Sequence, residues 1–407
     1  MMAGCGTTRQ MSNRNLSHLY KTKVDRLHPE YRVYHASDSF SLVYFRLYSP
    51  ELLYSRPATN ADFQARYSIS YDLRPNYESK VITDSNTFVF TDNNKEEHWI
   101  TGSIRIKTRP GLNYVAEISF FDMNHMSESV TFLELNRENK NTAQNFLPLS
   151  AASGFNVQFS QAVSPGHITR IGTPGNPKEI FVRYYARDFS LPPPPFSYYN
   201  PKGFDFKPDS IFVLSNPNDS FLFVPGKKGL YHIQTDTSKI EGFTLTCFDE
   251  NFDGFRSYEG MLYPLRYITS RSEHEKMMAF RNKKAAVDSF WIHTAGSADR
   301  ARELIRKFYN RTLDANRYFT SYLEGWRTDR GLIYLIYGPP NAVYRYSTGE
   351  TWIYSEEHNS NSLNFTFTKV INPFSTNDFR LERSPIYQDS WYRATNSWRE
   401  GRIFLDN

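Results

Sequence analysis

Cysteine is nearly missing from these 407 residues, with Cys5 and Cys247 the only two. Two thiols in such different settings build neither a disulfide framework nor a metal site. Cys247 sits in the apolar run Phe243-Thr244-Leu245-Thr246-Cys247-Phe248, which predicts a buried, inert thiol. Long apolar stretches are missing too, and no run of about 20 apolar residues offers a membrane-spanning helix. Charge of one sign is also scarce. The 48 basic and 43 acidic residues leave a net +5 and are interspersed, without the clustered Lys/Arg face that nucleic acid requires.

Enzyme signatures are equally thin. The ten histidines form no H-x-H, H-E-x-x-H or Cys/His ligand set, so no metal is expected. No Walker loop and no G-x-G-x-x-G turn occurs, so no nucleotide cofactor is expected either. The G-x-S-x-G elbow of α/β-hydrolases is absent as well. Asp329, Glu350, Glu356 and Glu357 are the acids that could pair as in a glycosidase, but surface acids beside turns are the commoner explanation.

What is abundant is aromatic. With 28 Tyr and 32 Phe, aromatic residues make up 16% of the chain. They favour strands, and they suit surfaces that bind sugars or proteins. The length calls for more than one core, and 39% hydrophobic with 22% charged residues describes a folded chain. From 28 to 138, period-two runs such as Ile104-Arg105-Ile106-Lys107 alternate with breakers such as Arg109-Pro110-Gly111. About seven strands at this spacing predict an immunoglobulin-like antiparallel sandwich. A second β-rich, sandwich-like region is expected over 151–270; its Leu191-Pro192-Pro193-Pro194-Pro195-Phe196 reads as a rigid loop.

From 271 onward the period changes. Ser272-Glu273-His274-Glu275 reads as a capping box, Lys283–His293 as a helix ended by Gly296, and Ser297 as the cap of the best helix in the chain. Gly325-Trp326-Arg327-Thr328-Asp329-Arg330-Gly331 then reads as a turn feeding the most apolar strand, Leu332–Tyr337, which Gly338-Pro339-Pro340 stops. In this reading Gly325 and Gly331 supply positive φ, Thr328 and Asp329 bond nearby amides, Arg330 clamps Asp329 or a strand-end carbonyl, and Trp326 caps the sheet through its indole. Strands at 343–346, 352–354 and 363–368 and a helix after Ser384-Pro385 complete 271–407. The fold class is therefore mainly β with a carboxy-terminal α+β domain: two antiparallel sandwiches, then helices on a meander.

The residues Gly325, Trp326, Thr328 and Asp329, with Arg330, Gly331, Gly338, Pro339 and the later Glu350-Thr351-Trp352-Ile353-Tyr354, closely resemble the GWxTD domain. That family is named for this signature and is found mainly in envelope proteins of Bacteroidetes-type bacteria. The resemblance covers about the last third of the chain. It implies a secreted or lipid-anchored protein with β-sandwiches ahead of the signature, and no known catalytic residue. Met2-Ala3-Gly4-Cys5 likewise resembles the end of a bacterial lipobox, so Cys5 is expected to carry a lipid and 1–27 to be a polar tether. Without acids after Cys5, the periplasmic face of the outer membrane is favoured over the cell surface. The expected role is a non-enzymatic interaction or scaffold subunit with other envelope proteins as partners. The alternative is a carbohydrate-binding or carbohydrate-processing lipoprotein. Within the signature, a structural corner is weighed against a polar pocket at Trp326, Asp329 and Arg330 for a partner strand or small anion.

Overall fold

The structure, a computed structural model, describes residues 11–21, 27–58, 62–175, 177–198, 200, 203–216, 221–354 and 362–404. Cys5, Glu356 and Glu357 lie outside the described residues.

The alternating runs become strands β1 (Glu30–Tyr34), β2 (Phe40–Tyr48), β3 (Ala65–Arg74), β4 (Asp84–Asp92), β5 (Trp99–Lys107), β6 (Asn113–Asp122) and β7 (Ser127–Asn136). They form two antiparallel sheets, ordered β1-β2-β5 and β4-β3-β6-β7. Along β2 burial alternates residue by residue, so Val43, Phe45 and Leu47 meet Tyr67, Ile69 and Phe120 between the sheets.

A second pair of sheets follows. Its strands are β8 (Leu147–Ser150), β9 (Asn156–Val157), β10 (Ala162–Val163), β11 (Thr169–Gly172), β12 (Glu179–Tyr185), β13 (Ser210–Ser215), β14 (Phe221–Phe223), β15 (Gly229–Gln234) and β16 (Phe243–Cys247). The orders are β10-β16-β15-β12-β13 and β14-β11-β8-β9, all antiparallel except the short β10–β16 pair. Phe146, Ile171, Val182, Phe221 and Phe243 fill the space between them. Cys247 is buried there, and burial pushes its thiol up to about 11, where it stays protonated and unreactive. The polyproline segment is a loop, and the Pro193 and Pro195 carbonyls accept from Arg383 Nη2 and Ser384 N at 3.3 and 3.1 Å.

The helices are α1 (Tyr258–Leu262), α2 (Arg271–Ala279), α3 (Lys283–Ala295), α4 (Ala298–Phe319) and α5 (Asp329–Tyr337). An antiparallel meander of β17 (Ala342–Tyr346), β18 (Gly349–Tyr354), β19 (Leu363–Lys369) and β20 (Phe379–Leu381) follows, then α6 (Gln388–Arg399). Ser297 caps α4, whose Ala301, Leu304, Phe308, Ala315 and Phe319 are buried along one stripe. Tyr387, Trp391, Ala394 and Trp398 likewise carry α6 onto the same core.

Three expectations are corrected. Leu332–Tyr337 is not a strand but most of α5, whose residues from Asp329 to Tyr337 are all buried. A segment buried on every side shows no period, so apolarity alone cannot separate helix from strand. The Thr328 cap and the acid in the first turn decide for helix. The capping box uses Ser270 with Glu273, not Ser272. Met11–Tyr20 is no tether: Met11, Leu16 and Tyr20 are buried in the core of the helical unit, and Leu16 N donates to Val343 O at 2.8 Å.

Candidate functional site

The signature is a corner between two helices. After α4 the chain turns through Gly325–Arg327, and Thr328 opens α5. The Thr328 hydroxyl donates to Gly325 O at 2.7 Å and accepts from Gly331 N at 3.0 Å. Gly325 and Gly331 do not take positive φ, contrary to expectation. They are glycines because backbones touch. A Cβ on Gly325 would lie 1.9 Å from Ala315 O on α4, and one on Gly331 would lie 1.9 Å from Gly325 O. The α4 backbone, the turn and α5 therefore stack with no room for a methyl group. Gly338, which ends α5, does need its φ of +86°, and Tyr354 Oη donates to its carbonyl at 2.8 Å. Pro339 follows in the bend that leads to β17.

Trp326 is held by its main chain. Its N–H donates to Asn316 Oδ1 at 3.2 Å and its carbonyl accepts from Tyr267 Oη at 3.2 Å. Among the described residues its indole makes no hydrogen bond, so the expected indole cap is replaced by edge packing against Tyr267, with ring centroids 6.0 Å apart.

Asp329 and Arg330 are adjacent yet bond different partners. The Asp329 carboxylate accepts from Leu381 N at 2.8 Å and from both terminal nitrogens of Arg383, at 3.0 and 2.5 Å. Arg330 does not clamp it. Its guanidinium donates to Glu350 Oε1 at 3.0 Å, to Asn377 O at 2.9 Å and to the Asn377 side chain, and it lies over the Phe379 ring at 4.0 Å. Glu350 is fully buried and also accepts from Arg345 Nε at 3.3 Å, Trp352 Nε1 at 3.1 Å and Tyr20 Oη at 3.2 Å. Burial alone would raise its carboxyl, but Arg330 and Arg345 hold it below the usual carboxylate range. Tyr20, Phe319 and Trp352 pack edge-on or tilted around this centre, with centroids 5.0 to 5.3 Å apart. Nearby, burial pushes Asp378 up to about 6 against the pull of Arg330 and Arg380.

A family model described as the GWxTD domain matches residues 229–400. The chain is a GWxTD domain-containing protein. The matched GWxTD span takes in β15 and β16 of the second sandwich as well as the helices, the corner and the meander. No curated protein matches the chain. Among solved structures, a crystal structure of red sea bream transglutaminase is similar over 52% of this chain and 28% of that one, at 8% identity and a TM-score of 0.19. The chain thus spans little more than a quarter of that protein, and a likeness so slight carries no argument about either fold or activity.

Of the GWxTD residues, Gly325, Trp326, Thr328, Asp329, Arg330 and Gly331 come together in one buried corner, with Gly338 and Pro339 at the far end of α5. A cavity of about 680 Å³ lies away from them, lined by Ser257, Tyr258, Glu259 and Arg281–Lys284. Asp329 is consumed by Arg383 and Arg330 by Glu350, which leaves neither for an anion or an approaching strand. As glycosidase acids, Asp329 and Glu350 are equally sealed from substrate. The functional partners that sequence reasoning passed over are Arg345, Asn377, Arg383 and Tyr20. The alternation across β17 and β18 that pairs Arg345 with Glu350 was the one available signal.

Proposed function

We propose that this chain is a non-catalytic scaffold or interaction subunit of a cell-envelope complex, held on the periplasmic face of the outer membrane by a lipid on Cys5. One observation supports the non-catalytic half: Asp329 and Arg330 of the GWxTD signature are both paired inside the fold, where they lock elements together. Asp329 ties α5 to β20 and, through Arg383, to the Pro193 loop of the second sandwich. Glu350 ties α5, β17 and β18 to the amino-terminal segment at Tyr20. A body braced in this way suits a part that holds other parts in register. The lipobox resemblance at Cys5 supports the anchored half.

The test is mild detergent extraction of membranes from cells making the tagged full chain, with intact-mass measurement of the product. A diacylglycerol-modified Cys5 and a stoichiometric second envelope protein are expected. An unmodified Cys5 together with a chain that leaves the membrane alone would overturn the proposal.

A further inference from the structure

The open edge of the second sandwich is an unusual strand. β13 is last in its sheet, with β12 as its one ladder partner among the described residues. Sheet edges normally carry lysine, proline, a bulge or a cover that blocks further pairing. β13 reads Ser210-Ile211-Phe212-Val213-Leu214-Ser215, with no charge and no proline. Three of its four apolar residues are exposed, Ile211 by 55%, Phe212 by 42% and Val213 by 52%. Asn216 N donates to Lys178 O at 3.0 Å, so by antiparallel alternation Phe212 and Leu214 turn their backbone groups toward β12. The N–H and C=O groups of Ile211, Val213 and Ser215 then point off the sheet.

From this edge we infer that β13 pairs with β13 of a second copy of this chain, antiparallel about a two-fold axis at Val213. The strand has the same polarity pattern read in either direction: serine, four apolar residues, serine. Two-fold pairing about Val213 sets Val213 against its own copy. Phe212 lies opposite the partner's Leu214, and Ile211 lies opposite the partner's Ser215. No like charges meet across the join, since β13 carries none. Arg183 faces Ile211 on β12, and Glu179 faces Ser215. One row of the joined sheet then runs from Arg183 through Ile211 and the partner's Ser215 to the partner's Glu179, opposite in sign at its two ends. The result is one sheet of ten strands whose outward edge groups are satisfied. An unlike partner would need its own uncharged strand of matching pattern, and a charged peptide would find no counter-charge on β13. A contact of one short strand is small, so the dimer is a weak, concentration-dependent one. It does not depend on the envelope reading above.

Sedimentation of the purified full chain across the micromolar range tests it. The wild type is expected to pass from monomer to dimer with concentration. Ile211→Lys puts a charge on the exposed edge, and Val213→Pro removes an outward N–H without touching the β12 ladder. Each is expected to weaken the dimer by at least about tenfold at an unchanged melting temperature. Should Val213→Pro unfold the domain, Ile211→Lys decides alone, since its side chain is already in water. A wild type that stays monomeric throughout, or a dimer that Ile211→Lys leaves intact, overturns the inference.

Discussion

The GWxTD corner buries paired charges, and each of the two sandwiches also buries a neutral histidine. The corner buries charge in pairs, Arg330 with Glu350 and Asp329 with Arg383. Each sandwich buries a neutral histidine in a clamp of the same design. His35 Nε2 donates to Asn136 O at 2.8 Å while Nδ1 accepts from Ser41 at 2.8 Å. His232 Nε2 donates to Ile240 O at 3.0 Å while Nδ1 accepts from Thr244 at 2.9 Å. Burial pushes both imidazoles down to about 4, so neither carries charge near neutral pH. A paired charge fails when its partner is removed, whereas a neutral clamp fails when protons arrive.

That contrast sets what will break each region. The largest effect belongs to the backbone contact that underlies the corner. Gly331→Ala drives a methyl into the Gly325 carbonyl, and loss of more than about 4 kcal/mol, or of the folded helical unit altogether, is expected. Gly254→Ala, with nothing near its Cβ, is the control. Melting by circular dichroism reads both, and a Gly331→Ala protein as stable as the control refutes the packing. Next comes Arg330→Met, which leaves the Glu350 carboxylate with Arg345 alone. A cost of about 3–5 kcal/mol is expected. Adding Glu350→Gln should restore part of it in a double-mutant cycle, and strict additivity would show that the two residues are not coupled.

The smallest effect is the acid response of the sandwiches. As pH falls below 6.5 the unfolded chain protonates these histidines, while the folded chain resists until about 4. Stability conferred by each neutral clamp is therefore complete above 6.5 and lost between 6.5 and 4, at most about 3 kcal/mol per histidine. Asp378 opposes this trend, because its carboxyl, raised to about 6, binds a proton earlier in the folded chain than in the unfolded one. Urea titrations across pH 4–7 should show stability falling with acid, less steeply in His232→Gln and more steeply in Asp378→Asn. An identical slope in all three proteins would remove the histidines from the account.

The sandwiches were largely legible because half-buried strands write their faces into the sequence, as Val43, Phe45 and Leu47 do along β2. The corner was legible only as a signature. Helix α5 carries no polar face, so its apolar run resembled a strand. The glycines looked like turn residues because sequence does not reveal which backbone will press against which. Ser270 and Ser272 both precede a glutamate by three residues, and the extended Ser270 backbone, with Glu273 reaching Arg399, settled that choice only in three dimensions. The partners of Arg330 and Asp329 come from β18 and the stretch after β20, where spacing along the chain carries no record of the pairing.

One contact bears on the order of events during synthesis. Tyr20 emerges from the ribosome 330 residues ahead of Glu350, the acid its hydroxyl meets. Both sandwiches can close while that gap is still being translated, since their strands pair with near neighbours. The amino-terminal segment can meet the first sandwich early, through His18 and Val130, but Tyr20 has to wait for the meander to receive its hydroxyl. The loop it then closes holds nearly the whole chain, yet closure entropy grows only with the logarithm of length. The molecule is thus finished by a clasp between Tyr20 and Glu350, and a ribosome that stalls before residue 350 leaves that clasp open.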